Sequence, residues 1–552
     1  MIGKEEVKKI LRLREQLLEY RKPFEPLWRD VARYINPLLA GWESSGPGTF
    51  ESRTSWMKEL FDETALKASN LLADGIQGYA FGRSAAWFRL MVERAPRTEE
   101  GVRWLQAVER SLYSQIAKSN FYDEARTFLK IGADFGTAAL RRIENPTTGA
   151  PTFRVLHLKH CYIAENAYGE VDTLLRDVWM SPDEAVQWFG RSTPDTVEKA
   201  YRNGSPEQFL FVEAIFPEGR HGIEVPKASR KGKPFYAVMI YPDTGEAVME
   251  GGYDVKPFYV WRWARSQDGN PWGVDSPGLI EIPNVKQLNV IRKDYLRMRQ
   301  LAARPPVKAT EGLVGRIRLE PSGITYLRAG EDFTPAQVVQ AIGEIASEIE
   351  QIRRDIHEAY HTDFFLILTQ NIERAKTATE VMGIQSEKAA ILSAFFGRLG
   401  WEFLEPLVED LFSSELSAGR LPPPPETLSR ASLRVDMISP LAIAQKQYLG
   451  MRNTQDVVAR AIELAQIDPA MIDNIDMDRF LRLYAEVSHA DARVLRKKSE
   501  IDKIRTARAE ERLRVAQQQF ATEQSRAQAL LYKHLSKAPE PGSPAENMVG
   551  GA

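Results

Sequence analysis

The reading of this chain turns on Glu281 to Tyr360. That stretch opens with EIPNVKQLNVIRKDYLRMRQLAA (281–303) and closes with PAQVVQAIGEIASEIEQIRRDIHEAY (335–360). The first segment reads as one helix, with Ile291, Tyr295 and Met298 on a stripe. Pro305-Pro306 ends it, because neither residue can donate the next backbone hydrogen bond. In the second segment Val338, Ile342, Ile345, Ile349, Ile352 and Ile356 recur at alternating steps of four and three, an a/d-type seam. About 26 helical residues span roughly 40 Å. A rod with one apolar seam needs a neighbour, from its own chain or from another copy, and Ile342, Ile345, Ile349 and Ile352 are its packing residues. Between the rods lie Arg316-Ile-Arg-Leu319, Glu320-Pro-Ser-Gly323 and Ile324-Thr-Tyr326, a hairpin-like signal. Paired rods around a β excursion are therefore the organising feature.

On the N-terminal side, residues 4–35 read as helix broken near Pro23 and Pro26, with Trp28, Val31, Tyr34 and Ile35 on one stripe. Helices follow at 61–80, 99–118 and 121–133. From Ala138 to Arg265 short alternating apolar runs separated by Gly and Pro turns read as strands. One helix interrupts them, from Ser181 to Phe189, with Ser181-Pro182-Asp183-Glu184 as its start signal. On the C-terminal side, residues 362–377 are loop-like, 378–416 form a third long helix, and Pro422 to Pro425 make a stiff linker. Residues 440–487 give short helices. Residues 489–536 favour helix by composition but carry a weak seam, and 538–552 read as a disordered tail. The fold class is α+β and predominantly helical.

Composition narrows the function classes. The chain has 552 residues, 43% of them hydrophobic, with 73 basic and 75 acidic side chains and a formal net charge of -2. A dedicated duplex-DNA binder neutralises phosphates with surplus Lys and Arg, and no surplus exists. The lone cysteine, Cys161, excludes an intramolecular disulfide and fits a reducing compartment. The amphipathic start is no secretory signal, and no apolar run of about eighteen residues predicts a membrane span.

Motifs that carry chemistry are few. His357-Glu358-Ala359-Tyr360-His361 matches HExxH, in which two histidines on one helix face bind zinc beside a general base. The bland alternative is a chance pair in a charged helix; the third ligand would have to be Glu373 or Glu380, neither in a recognisable motif. His157 and His160 fall three apart in a strand-like region, where they would point to opposite faces. No Gly-x-x-x-x-Gly-Lys-Ser/Thr loop occurs, so the chain is not itself a nucleotide-driven motor. Gly75-x-x-Gly78 and Gly132-x-x-x-Gly136 follow helical patterns and serve close helix packing. No catalytic pair, metal ligand set or cofactor site is assigned, and no enzyme activity is expected. Basic residues cluster at 292–304, at Arg316, Arg318 and Arg328, and at 493–508, either as solvated faces or as weak phosphate contacts.

Arg21–Pro37 (RKPFEPLWRDVARYINP) has a Trp followed by a Tyr-Ile-x-Pro pattern. Phe61-Asp62-Glu63-Thr64 precedes Ala68, Leu71, Leu72, Ala73 and Gly75, then Trp87-Phe88-x-Leu90. Ser119-Asn120-Phe121 and Phe135-Gly136-Thr137-Ala138 follow. Next come Trp261-Arg262-Trp263, Trp272-Gly273-Val274-Asp275-Ser276-Pro277 and Thr377-Ala378-Thr379-Glu380-Val381. This ordered set, spanning about residues 10–415, resembles the head-to-tail connector, or portal, proteins of short-tailed bacteriophages. Beyond about 440 the likeness fades.

The resemblance implies a ring of about twelve copies around a channel for double-stranded DNA, bound without sequence preference. It implies a wing (1–275), stem helices (276–304 and 333–360) and a β-containing clip (305–332). A channel loop (361–377), a wing helix with linker (378–440), a crown (441–488), a helical barrel (489–537) and a tail (538–552) complete the chain. Asn371, Arg374 and Lys376 would be the DNA-contacting loop residues, or else cap the next helix and pair with Glu373. Arg316, Arg318 and Arg328 would face the tail adaptor from the clip. The seam isoleucines would pack against the neighbouring subunit's stem. Implied partners are the chain itself, the terminase large subunit of the packaging motor, the major capsid and scaffolding proteins and a tail adaptor. The implied location is the head-to-tail vertex of the virion, after assembly in host cytoplasm. Two other classes stay open: an HExxH metalloprotease and a helical scaffold without a channel.

Overall fold

The computed structural model describes residues 2–39, 41–42, 56–83, 85–93, 98–144, 149–303, 307–309, 333–335, 342–362, 396–428, 432–438, 452–481, 496 and 498–535. Residues 1–450 form one compact unit and 451–552 a second.

Helix and strand alternate as the hydrophobic pattern predicts. The broken N-terminal helix is α1 (Lys4–Arg21) and α2 (Glu25–Tyr34), with Pro26 in the first turn of α2, where no donor is lost. Trp28, Val31, Ala32 and Ile35 are buried, one face at helical spacing. Helix α3 (Thr64–Phe81), α4 (Glu99–Lys118) and α5 (Phe121–Phe135) follow. Helix α5 is buried along most of its length. It ends at Gly136, whose φ of 77° is the left-handed conformation a helix C-terminus uses and Gly adopts without cost.

Strand β1 (Phe88–Glu93) pairs far along the chain with Ser432–Met437. Strands β2 (Thr137–Glu144), β3 (Pro151–Leu156) and a later strand Phe258–Arg262 form a three-stranded sheet with β2 in the middle. This sheet packs on α5. A Cβ at Gly132 would lie 2.2 Å from the Trp261 ring, so close packing is what that glycine serves. Gly78 has no such role: a Cβ there meets nothing within 4 Å among the described residues.

A five-stranded antiparallel meander follows: β4 (Cys161–Glu165), β5 (Val171–Met180), β6 (Phe209–Pro217), β7 (Phe235–Tyr241) and β8 (Glu246–Tyr253). Its side chains obey the two-residue period. Tyr236, Val238 and Ile240 face α1, while Met239 and Tyr241 face the opposite cluster. Two helices cover that second face, not the single one expected. They are α6 (Pro182–Phe189), with a full Ser181/Glu184 capping box, and α7 (Asp195–Arg202). The sequence gives α7 only eight residues and one buried apolar side chain, Val197, too few for its periodicity to stand out.

The long rods are α8 (Ile282–Ala303) and α9 (Ile342–Ala359). Pro335, read from sequence as the start of the second helix, instead sits in a strand. Phe333–Pro335 pairs antiparallel with Val307–Ala309, closing the excursion at its base. The third long helix is visible from residue 396. It passes through a π-helical turn, Gly400–Leu404, into α10 (Glu405–Ser417). Buried ion pairs dock it. Asp410 accepts two hydrogen bonds from Arg142 at 2.5 and 2.7 Å, and Glu402 takes Arg262 at 2.6 and 3.1 Å. Arg262 also meets Glu165, so its charge is matched although it is almost wholly enclosed.

In the second unit, α11 (Arg452–Ala465) precedes α12 (Lys498–Leu535). Every side chain of α12 from residue 505 to 530 is exposed, including Leu513, Phe520 and Leu530.

Candidate functional site: the paired helices and their root

Helices α8 and α9 pack on each other, and α9 also packs on α3. Ile349, Ile352 and Ile356 are buried in one cluster with Val285 and Leu288, and Ile345, Ile291 and Tyr295 are packed against it. The seam is thus filled from its own chain. An own-chain neighbour is one of the two that the spacing allows. The spacing was right, but spacing alone does not say which apolar surface fills a seam. The side chain of Ile342 lies outside the described residues.

Both rods are rooted at Asp134, near the end of α5. Its carboxylate is fully enclosed and accepts hydrogen bonds from Asn36 Nδ2 at 2.6 Å, Ser69 Oγ at 2.8 Å and the Tyr360 hydroxyl at 3.0 Å. Its carbonyl accepts from Ser276 Oγ at 3.4 Å. Gly278 crosses so closely that a Cβ there would lie 2.2 Å from the same carbonyl oxygen. The entry to α8 and the exit from α9 therefore meet at one residue, which makes the rods antiparallel. Burial pushes the Asp134 carboxyl up to about 6, while Lys130 and the three donors pull the other way. Burial, and the carboxylate it faces, push the Tyr360 hydroxyl well above the usual tyrosine range. Sequence reasoning missed this root. Its one signal was an acid set between Ala133 and Phe135 in an otherwise apolar helix end.

Helix α9 stops at Ala359, and this decides the HExxH match. His361 lies past the helix end at a φ of 52°. His357 Nδ1 is 3.0 Å from Thr362 Oγ1, whose hydroxyl donates to the His357 carbonyl at 3.0 Å. The shared helix face that a zinc pair requires is not formed. Among the described residues no group of three or more His, Cys, Asp and Glu side chains could hold a metal.

His157 and His160 also depart from expectation. His157 caps a 3-10 turn, Leu158–His160, that His160 closes, and their rings lie 5.5 Å apart rather than on opposite faces. Burial lowers His160 to about 4, so it stays neutral near pH 7. Asn371, Arg374 and Lys376, and likewise Arg316, Arg318 and Arg328, lie outside the described residues. No helix among the described residues is long and apolar enough to cross a membrane.

The outward faces of the rods differ in charge. Helix α8 carries five basic residues and one acid, with Lys293, Arg297 and Arg299 exposed. Helix α9 carries five acids and two arginines, with Glu344, Glu348, Glu350, Asp355 and Glu358 exposed.

Two long antiparallel helices thus run from a mixed helix-and-strand body to the paired strands Val307–Ala309 and Phe333–Pro335. The comparison with known families places the protein: residues 7–495 match the bacteriophage head to tail connecting protein family, and the chain belongs to that family. It is 28% identical over 517 residues, 92% of each chain, to the portal protein of Salmonella phage epsilon15. It is 27% identical over 512 residues, 90% of each chain, to the probable portal protein of Bordetella phage BPP-1. A chain in a neck structure of an empty GTA particle aligns with a TM-score of 0.33 at 12% identity, over 74% of this chain and 88% of that one, too loose to bear on arrangement.

Proposed function

We propose that this chain is a portal subunit, about twelve copies of which close into a ring around a channel for double-stranded DNA. The observation that carries the reading is the family match over residues 7–495, which spans both rods and the excursion between them. In this reading the paired helices are the stem and residues 305–332 the clip, where Arg316, Arg318 and Arg328 meet the tail adaptor. Residues 361–377 narrow the channel, with Asn371, Arg374 and Lys376 touching phosphate. The body from 1 to 275, with 378–440, is the wing, 441–488 the crown and 489–537 a barrel of helices. The implied partners are the terminase large subunit during packaging, the capsid and scaffolding proteins, and the tail after it. The protein would act at the head-to-tail vertex of the virion, assembled in host cytoplasm.

The chemistry asked of such a ring is modest. DNA must slide in both directions, and each strong Lys or Arg contact to phosphate raises the barrier to sliding. A net charge of -2 over 552 residues fits a conduit that does not grip. Native mass spectrometry tests the reading. Twelve copies of a 62.5 kDa chain give a particle of about 750 kDa. A strictly monomeric or dimeric protein under all assembly conditions would overturn it.

A further inference from the structure

We propose that the two rods form an alternating electrostatic seam between copies of this chain, the basic face of α8 in one copy docking on the acidic face of α9 in the next. The inference rests on the ring reading. It adds what chooses the partner face.

The acids of α9 are ordered. Glu344, Glu348, Asp355 and Glu358, with Gln351 between them, repeat at steps of four, three, four and three. Each of Glu344, Glu348, Gln351 and Asp355 directly precedes a residue of the apolar seam: Ile345, Ile349, Ile352 and Ile356. One residue is about 100° around a helix, so the acidic stripe flanks the buried seam along its whole length. All five positions are exposed. Like charges stacked at such spacing repel one another unless something positive faces them.

Within the described residues, the exposed cations of α8 do not supply that positive surface. Among the described residues, no ion pair joins the exposed cations of α8 to these acids; Glu348 accepts instead from the neutral Gln287 amide of α8 at 3.2 Å. Lys293 Nζ lies 5.5 Å from the Phe61 ring, Arg299 5.8 Å from the Tyr295 ring, and Arg297 is 3.7 Å from Asp294 of its own helix. The ion pairs that fix the rods use other residues, Lys286 with Asp30 and Arg353 with Asp62, both at 2.6 Å. Since the apolar seam is already filled by the same chain, a neighbour meets these charged faces, together with Val290, Leu296 and Leu301, which are exposed on α8.

Geometry selects the occupant. When antiparallel two-helix units stand side by side in one direction, each α8 adjoins the next unit's α9. A basic face then meets an acidic face at every interface, and the contact is heterologous, as ring closure demands. Charges flanking an apolar seam set partner choice and orientation in coiled coils by the same logic. A second copy is thus the occupant that the charge complementarity fits.

Charge reversal tests it on the full-length protein. One variant carries Lys293→Glu, Arg297→Glu and Arg299→Glu; the other carries Glu344→Lys, Glu348→Lys and Asp355→Lys. All six side chains are exposed, so circular dichroism of each should match wild type. By native mass spectrometry each variant alone should lose ring at least tenfold. An equimolar mixture should recover it, because reversed α8 faces meet reversed α9 faces in alternation. A third chain carrying both sets should assemble by itself, and so guards against misfolding of a single set. Rings from either single-set variant at wild-type yield, or a mixture that stays dissociated, overturn the proposal. Failure of the wild-type protein to form any ring would instead sink the portal reading itself.

Discussion

At the scale of single residues, the buried Asp134 carboxylate joins three separate parts of the chain. It ties the loop after α2 through Asn36, helix α3 through Ser69, and the exit of α9 through Tyr360. An enclosed carboxylate is tolerated only with donors around it, since an unpaired buried charge costs several kcal/mol. Tyr360→Phe removes one donor and adds no clash. The expected cost is about 2 kcal/mol, the usual worth of a hydrogen bond to a charged group. It should appear as a lower denaturation midpoint in urea with an unchanged slope. An unshifted midpoint would mean that Asp134 does not depend on Tyr360.

At the scale of elements, the rods are held first by their own chain. Ile349 and Ile352 are nearly inaccessible in the single copy, so replacing them damages the fold before it damages assembly. Ile349→Asp would place an unpaired carboxylate among Val285, Leu288 and Ile352. We expect a loss of about 3–5 kcal/mol, in the range for severe core substitutions, seen as a lower melting temperature in circular dichroism at concentrations too low for assembly. A variant that melts like wild type yet fails to form rings would restore the neighbouring subunit as the seam's partner. The rods' existence was legible because a four-three repeat of isoleucine has few other meanings. The start of the second rod was not, because Pro335 suits the first turn of a helix as well as the end of an edge strand. Pairing with Val307 decided between them.

At the scale of the whole molecule, the proposed loop residues supply a functional prediction independent of the stem. Arg374→Ala with Lys376→Ala should leave ring mass unchanged and lower the yield of packaged genome, measured as DNA-filled heads. Normal yield would remove those residues from the DNA path. The buried Arg142–Asp410 and Arg262–Glu402 pairs act at this scale too. They bring residues 402 and 410 back onto the sheet of residues 137–262 and make one unit of a long excursion in sequence. Such pairs join residues 268 and 140 positions apart, a separation that no local pattern encodes.

By itself the amino-acid sequence determined the strand region, the rods, their bracketing of an excursion and the likeness to head-to-tail connectors. These follow from periodicity and ordered motifs, which are properties of neighbouring residues. Only the tertiary structure decided what fills the isoleucine seam, where α9 stops short of His361, and that both rods are anchored on one enclosed carboxylate. Those outcomes depend on which distant surfaces compete for the same buried space, and a one-dimensional pattern does not carry that competition.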